Sequence, residues 1–447
     1  MPLKGATFHI AVLLVVAVLF GGGGSGAALA NLAVQLCALG VLALHPQAVI
    51  GFFRRAPRVP VILVAVSLAL PLLQSIPLPP VLWHNLPGRE PARETFNFMG
   101  QPGAWMPFSL EWHRTLIAFL ALLPPFTVLV LVWDMRETNR RRLMIVLVAL
   151  GVFMVLLGTQ QLVGGNRRFM FFDEAEGSRY LVGTFAGHSP AGLFLILALC
   201  ALAGVFPRHP DTKWVIGGAS VAILLATGIL LGRSRSAMVL LSIPLALAAL
   251  RFAGTIGQTL LRTRRMVAIS AGIVTLVVAG LVVVGQSERV QQGLARFGDL
   301  SDSRPLIWQD TLGTFARYWP VGSGIGTFDE VFQLDETLEN ITPPRAARAH
   351  NDFLEVGVES GFAGLLLTGS WIIFMIVCGF KSRRSKEMTW AATAGVAAVA
   401  LQSISDFPLR NQTLLCIAGF LLAILIDKKQ SVSASSEGRQ DIGCGTH

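Results

Sequence analysis

The chain has 447 residues, a mean hydropathy of +0.62, 53% apolar and only 14% charged residues, which excludes a large soluble globule and marks an integral membrane protein. A formal charge of +10 would suggest nucleic acid in a soluble protein; in a membrane protein Lys and Arg are topology signals that gather in cytoplasmic loops, so no nucleic-acid partner is expected. Cys37, Cys200, Cys378, Cys416 and Cys444 lie in apolar stretches or the tail without a CxxC pair, which implies neither a disulfide framework nor a thiolate metal site.

Crossing the hydrocarbon core takes roughly 20 apolar residues in a helix. By that measure the chain is expected to be an all-α polytopic membrane protein with about twelve transmembrane helices. They fall near residues 7–20, 27–45, 59–78, 114–133, 143–163, 185–206, 214–231, 236–253, 267–286, 353–379, 389–405 and 409–427. Residues 7–20 could pass for a signal peptide, but apolar spans follow at once and no A-x-A-like site stands near Gly21 to Gly26, so a first transmembrane helix is expected. The expected division is a transmembrane domain over 1–429, with 287–352 as its loop subdomain, and a disordered cytoplasmic tail over 430–447.

Every strongly basic loop follows an even-numbered span: Arg54, Arg55 and Arg58; Arg136 and Arg140 to Arg142; Arg208 and Lys213; Arg251, Arg262, Arg264 and Arg265; Lys381 to Lys386; Lys428 and Lys429. The positive-inside rule then puts both termini in the cytoplasm. The opposite face receives segments 79–113 and 164–184, the Gly232 to Arg235 turn, the long loop 287–352 and the Asp406 to Arg410 turn.

That topology gathers Arg179, Arg233, Arg235, Arg304, His350, Asp406 and Arg410 on one face, although more than half the chain separates them. Guanidinium groups suit bidentate phosphate binding and stay charged. Arg233 and Arg235 sit in a turn with almost no loop to lift them into water; a charge at that depth points to a wet cavity or a protein interior, with snorkelling to the headgroups as the alternative. His350 opens an apolar helix, where the macrodipole favours a neutral, base-competent imidazole and attracts anions. Taken alone, a His at a helix start is more often a cap or an interfacial residue, and Asn351 and Asp352 are alternative caps. Gly322-Ser323-Gly324-Ile325-Gly326 is either a phosphate cradle or, as its context favours, a plain turn. The acids Asp299, Asp302, Asp329, Glu330, Asp335, Glu336 and Glu339 match no ligand loop and are expected to be a solvated face. His188 lines a cavity or binds a ligand. Trp83, Trp105, Trp112 and Trp319 read as interface anchors, with sugar stacking as the alternative.

The run His350-Asn351-x-x-Leu354, closed by Gly361, resembles the signature of the O-antigen ligase and polysaccharide polymerase superfamily. So do Arg179-x-x-x-Gly183-Thr184-Phe185, Ser234-Arg235-Ser236, Arg304-x-x-x-Trp308 leading to Gly322-x-Gly324-x-Gly326, and Ser405-Asp406-Phe407-Pro408-Leu409-Arg410. Together they cover 180–412, and Leu73 to Pro80 also resembles members from polysaccharide loci; Ala186-Gly187-His188 departs from the Asn-rich pattern. The resemblance implies a metal-independent, inverting glycosyltransferase of the inner membrane, without a cofactor, acting at the periplasmic face. Its donor would be a glycan on undecaprenyl diphosphate, and its acceptor lipid A core or a second lipid-linked glycan. In that reading His350 is the general base, and Arg304, Arg235, Arg179 and Arg233 hold the diphosphate, with Asp406, Arg410 and Asn351 in support. A transporter or flippase of lipid-linked glycans shares the span count, but it calls for broken helices and ionisable residues near mid-membrane.

Overall fold

The computed structural model describes residues 5–164, 169–172, 180–207, 210–260, 304–340, 346–381 and 386–426. The expected span 267–286, the tail and Arg179 lie outside them. Apart from one antiparallel ribbon pairing Pro77 with Pro107 and Leu78 with Met106, the described chain is helical. Among the described residues, six helices are long and apolar enough to cross a membrane: Ala6–Gly24, Trp112–Val132, Glu137–Val163, His188–Val205, Thr212–Gly232 and Asp352–Phe380. The pair Ala28–Leu44 and Pro46–Arg55, bent by 78°, makes a seventh if taken as one span, and Arg58–Gln74 and Gln412–Leu425 are shorter apolar helices. The expected span 236–253 is divided into Arg235–Leu240 and Ser242–Leu260.

Polar caps start several of these helices where the sequence supplies them. Asp211 accepts a hydrogen bond from Trp214 N at 2.9 Å, and Asn411 accepts one from Leu414 N at 3.2 Å. His188–Val205 is the most deeply packed of these helices, with 89% of it buried. The Gly-rich segment after the first helix has a packing reason: a Cβ on Gly22 would stand 2.2 Å from Thr184 O, and Gly22 O accepts a hydrogen bond from Ala186 N at 3.1 Å.

A second, smaller core caps one end of the bundle. Tyr318, Phe328, Val331, Phe332, Ala349 and Val358 form it, with Leu110, Ile307 and Phe315 packed against them. Segment 74–115 is built into this cap. Arg89, 1% exposed, donates to Phe108 O at 2.7 Å and Gly322 O at 3.2 Å, and lies over the rings of Phe108 and Tyr318. Burial drives the Arg89 pKa down to about 10 against the opposing pull of Tyr318 and Glu90. Gln74 clasps the same turn, accepting from Ile325 N at 2.9 Å and donating to Glu359 O at 3.3 Å.

The long Asp352–Lys381 helix is interrupted at Gly361, whose φ is +54°. A Cβ there would stand 2.0 Å from Pro320 O, so the cap loop and the helix approach too closely for any side chain. This break and the 78° bend are helix interruptions of the kind a transporter calls for.

Candidate functional site

Residues 349–352 form the turn from the cap into the Gly361-broken helix, and neighbours pin them on several sides. Asn351 is the cap: its Oδ1 accepts from Phe353 N at 3.0 Å and Leu354 N at 3.1 Å. His350 therefore stands one residue before the cap, with a left-handed φ of +49°. That conformation is uncommon for any residue but Gly, though His, like Asn and Asp, enters it more readily than most, and neighbouring contacts hold it there. Trp308 donates its indole N–H to Ala349 O at 2.9 Å. Asp352, almost fully buried, accepts from Ser403 Oγ at 2.8 Å and Leu409 N at 3.2 Å, while its own N–H donates to Ser403 O at 2.9 Å.

His350 Nδ1 lies 3.6 Å from Asp406 Oδ1, and the Phe407 ring meets the imidazole edge to face at 5.0 Å. Asp406 is 5% exposed. Burial alone would raise its pKa, but His350, the charge of Arg304 and the Phe407 N–H outweigh it and hold the carboxyl below its ordinary value. Arg304, half-buried at the start of Arg304–Tyr318, is thus close enough to act on the Asp406 carboxylate. The Asp406 Oδ2 accepts from Gln402 Nε2 at 3.2 Å, and the same nitrogen reaches Ser236 Oγ at 3.0 Å.

Ser236 belongs to the arginine turn. Arg233 ends Thr212–Gly232 in the left-handed region, φ +54°, and Ser234 caps the next helix by accepting from Ala237 N at 3.3 Å. Arg235 is the first residue of that helix and is half-buried. The Arg233 guanidinium lies 5.5 Å above the Tyr180 ring, which stacks on His188 at 4.9 Å. His188 is therefore part of a Tyr180–Arg233 stack.

Arg410 points inward. It bonds Glu355 Oε1 at 3.1 Å and Glu359 Oε2 at 2.5 Å, and Arg348 reaches Glu355 Oε1 at 2.6 Å. Burial opposes the Arg410 charge, yet Glu359, Glu355 and Asp352 more than offset it and push its pKa above the ordinary value. This buried network holds the helix start to the Pro408–Arg410 turn. Glu355 and Glu359 escaped the sequence reading. Their signal was available: Asp352, Glu355 and Glu359 recur at helical spacing on one face of an otherwise apolar helix. Gln402 and Ser403 carried no such signal.

The Gly322 to Gly326 segment is a brace. Ser323 N donates to Val358 O at 3.0 Å, Gly324 N to Glu359 O at 2.8 Å and Ile325 N to Gln74, so these three amides are already engaged. Of the loop acids, Glu330 pairs with Arg114 at 2.9 Å and Asp335 with Arg317 at 2.6 Å. Among the described residues no group of three or more His, Cys, Asp or Glu could hold a metal ion. Trp83 is fully buried, whereas Trp105, Trp112 and Trp319 keep exposed faces.

The structure thus brings together His350, Asp406 and Arg304, and joins them through Gln402 to the turn that carries Arg233 and Arg235. Residues 219–369 match the family model described as O-antigen ligase. The match takes in Arg233, Arg235, Arg304, His350 and Asn351 and ends before Asp406 and Arg410. A comparison with curated proteins gives no match.

Proposed function

From a chain that carries an O-antigen ligase region, a family of ligase- and polymerase-type glycan transfer, we propose an enzyme that moves a glycan from a polyprenyl diphosphate carrier to an acceptor hydroxyl at the periplasmic face of the inner membrane. The convergence of His350, Asp406 and Arg304 from three distant segments carries this reading. For Nε2 to act as the base, the 3.6 Å gap between Asp406 Oδ1 and His350 Nδ1 closes, and the carboxylate then accepts a hydrogen bond from Nδ1–H. As the acceptor oxygen attacks the anomeric carbon, its proton passes to Nε2. The bond from that carbon to the diphosphate oxygen breaks, and its electron pair leaves with the diphosphate. Attack opposite the leaving group inverts the anomeric centre. General-base catalysis of this kind contributes of order 10²- to 10⁴-fold.

Arg304 and Arg235, with Arg233 and Arg179, receive the diphosphate charge, which guanidinium forks can do without a metal. An apolar cavity of about 260 Å³ supports the lipid-linked donor. Phe353, Ser403 and Leu409 on its wall adjoin Asp352, and Phe126, Met375 and Leu422 also line it. It suits a polyprenyl tail whose diphosphate lies at the His350 end.

The test offers purified protein a polyprenyl-diphosphate oligosaccharide in EDTA, with lipid A core and a second lipid-linked glycan as competing acceptors. One addition to lipid A core identifies a ligase, and a ladder of lipid-linked glycans identifies a polymerase. No transfer to either acceptor by folded protein refutes this reading.

A further inference from the structure

Gln402 ends the Lys386–Gln402 helix and is 1% exposed, a polar amide at the end of an apolar element. The orientation of its amide follows from its neighbours. A carboxylate can only accept, so the group facing Asp406 Oδ2 at 3.2 Å must be the NH2, and its second proton serves Ser236 Oγ at 3.0 Å. The amide oxygen Oε1 has no hydrogen-bond partner. A buried acceptor left without a donor costs stability and offsets part of what the two donated bonds contribute, so folding alone gives little reason to prefer this amide.

What the amide does accomplish is geometric. Asp406 Oδ1 takes the Phe407 N–H at 3.0 Å and stands 3.6 Å from His350 Nδ1, while Oδ2 is fixed by Gln402. Holding both oxygens sets the plane of the carboxylate, and that plane decides which oxygen faces the imidazole. The second proton of the same NH2 holds Ser236, the neighbour of Arg235.

We propose that Gln402 is a positioning residue that couples the Ser234-Arg235-Ser236 turn to the catalytic base: it holds Asp406 toward His350 and carries any shift of the turn to that carboxylate. The proposal rests on the glycan-transfer reading for its kinetic consequences and on geometry alone for its spectroscopic one. Binding of a diphosphate at the arginine turn moves Ser236, and through one amide the Asp406 carboxylate closes the remaining gap to Nδ1. Donor occupancy and base alignment are then one event.

Gln402→Met keeps the length of the side chain and removes the donor. Its kcat for transfer is expected to fall roughly 10- to 100-fold, with the donor KM within about threefold; the melting temperature is expected to drop because a buried carboxylate loses a donor, so rates are compared on protein shown to be folded. In an Asp406→Asn background the same change is expected to add no further loss, because its effect passes through that carboxylate. Full activity of Gln402→Met, or a loss that multiplies with that of Asp406→Asn, overturns the proposal.

A readout independent of turnover separates this proposal from the functional reading. With ¹⁵N-histidine label in lipid nanodiscs, His350 is expected to carry its proton on Nδ1 in the wild type, more completely with inorganic diphosphate present. The two tautomers are expected to mix in Gln402→Met. An unchanged tautomer in the variant refutes the positioning role even if the wild type transfers no glycan.

Discussion

The indole of Trp308 holds the carbonyl of Ala349 at 2.9 Å, one residue before His350. This bond ties the cap helix to a turn whose histidine has a left-handed backbone. Trp308→Phe keeps the ring and removes the N–H. The expected cost is about 1 kcal/mol of stability and roughly tenfold in kcat, because a base displaced by a fraction of an ångström loses alignment. Thermal melts and initial rates on one preparation check both, and an unchanged kcat would separate this bond from the site.

His350→Ala is expected to abolish transfer in folded, inserted protein, and Arg304→Lys to impair it, since a point charge cannot reproduce a bidentate fork. Rates with the lipid-linked donor measure both. If Lys performs as well as Arg, Arg304 does not hold the diphosphate.

Arg410 faces two carboxylates whose side chains are 0% and 1% exposed. Arg410→Met leaves both without their shared cation, a change expected to cost about 3–5 kcal/mol. The melting temperature in detergent should drop sharply. Adding Glu355→Gln and Glu359→Gln to the same chain should recover part of the loss. An unchanged melting temperature for the single variant would show that the network contributes little.

Asp406 has a pKa below its ordinary value of 3.8 in the folded protein. A depressed carboxyl stabilises the fold at every pH above the unfolded value, and that contribution disappears as pH falls through the folded value. The stability that Asp406 contributes relative to Asp406→Asn is therefore expected to shrink as pH falls below about 4. Melts between about pH 5 and 3 test the sign, and a contribution that grows as the pH falls through that range would contradict it.

Ala418 lines the apolar cavity. Ala418→Phe fills part of it and is expected to raise KM roughly tenfold for a long-chain polyprenyl donor, with little effect on a short-chain analogue. Equal KM changes for the two donors would remove the cavity from the tail's path.

Composition made the helical membrane class plain, because apolar runs of this length have few other uses. The turn residues were legible in part: Asn351, one of three candidate caps beside His350 and Asp352, and Gly361, which the family resemblance marked and whose positive φ and 2.0 Å approach to Pro320 O supply the physical reason. Distant pairings were not legible. Gln74 meets Ile325 across 251 positions and Arg89 meets Gly322 across 233, and no periodicity encodes such contacts. Gln402 illustrates the same limit, since one amide at the end of an apolar helix looks like any other until its two partners are in view.

The break at Gly361 also marks where one continuous element changes partners. The head from Asp352 to Ser360 is tied to the cap through Val358 O and Glu359 O, and the limb from Phe362 to Lys381 begins with a tie of its own, Phe362 N donating to Pro320 O at 2.8 Å. The limb also supplies Thr368, Trp371 and Met375 to the wall of the apolar cavity. A membrane thicker or thinner than that limb asks it to tilt. Such a tilt reshapes the cavity, so the acyl length of the surrounding lipid is expected to change the KM for a lipid-linked donor.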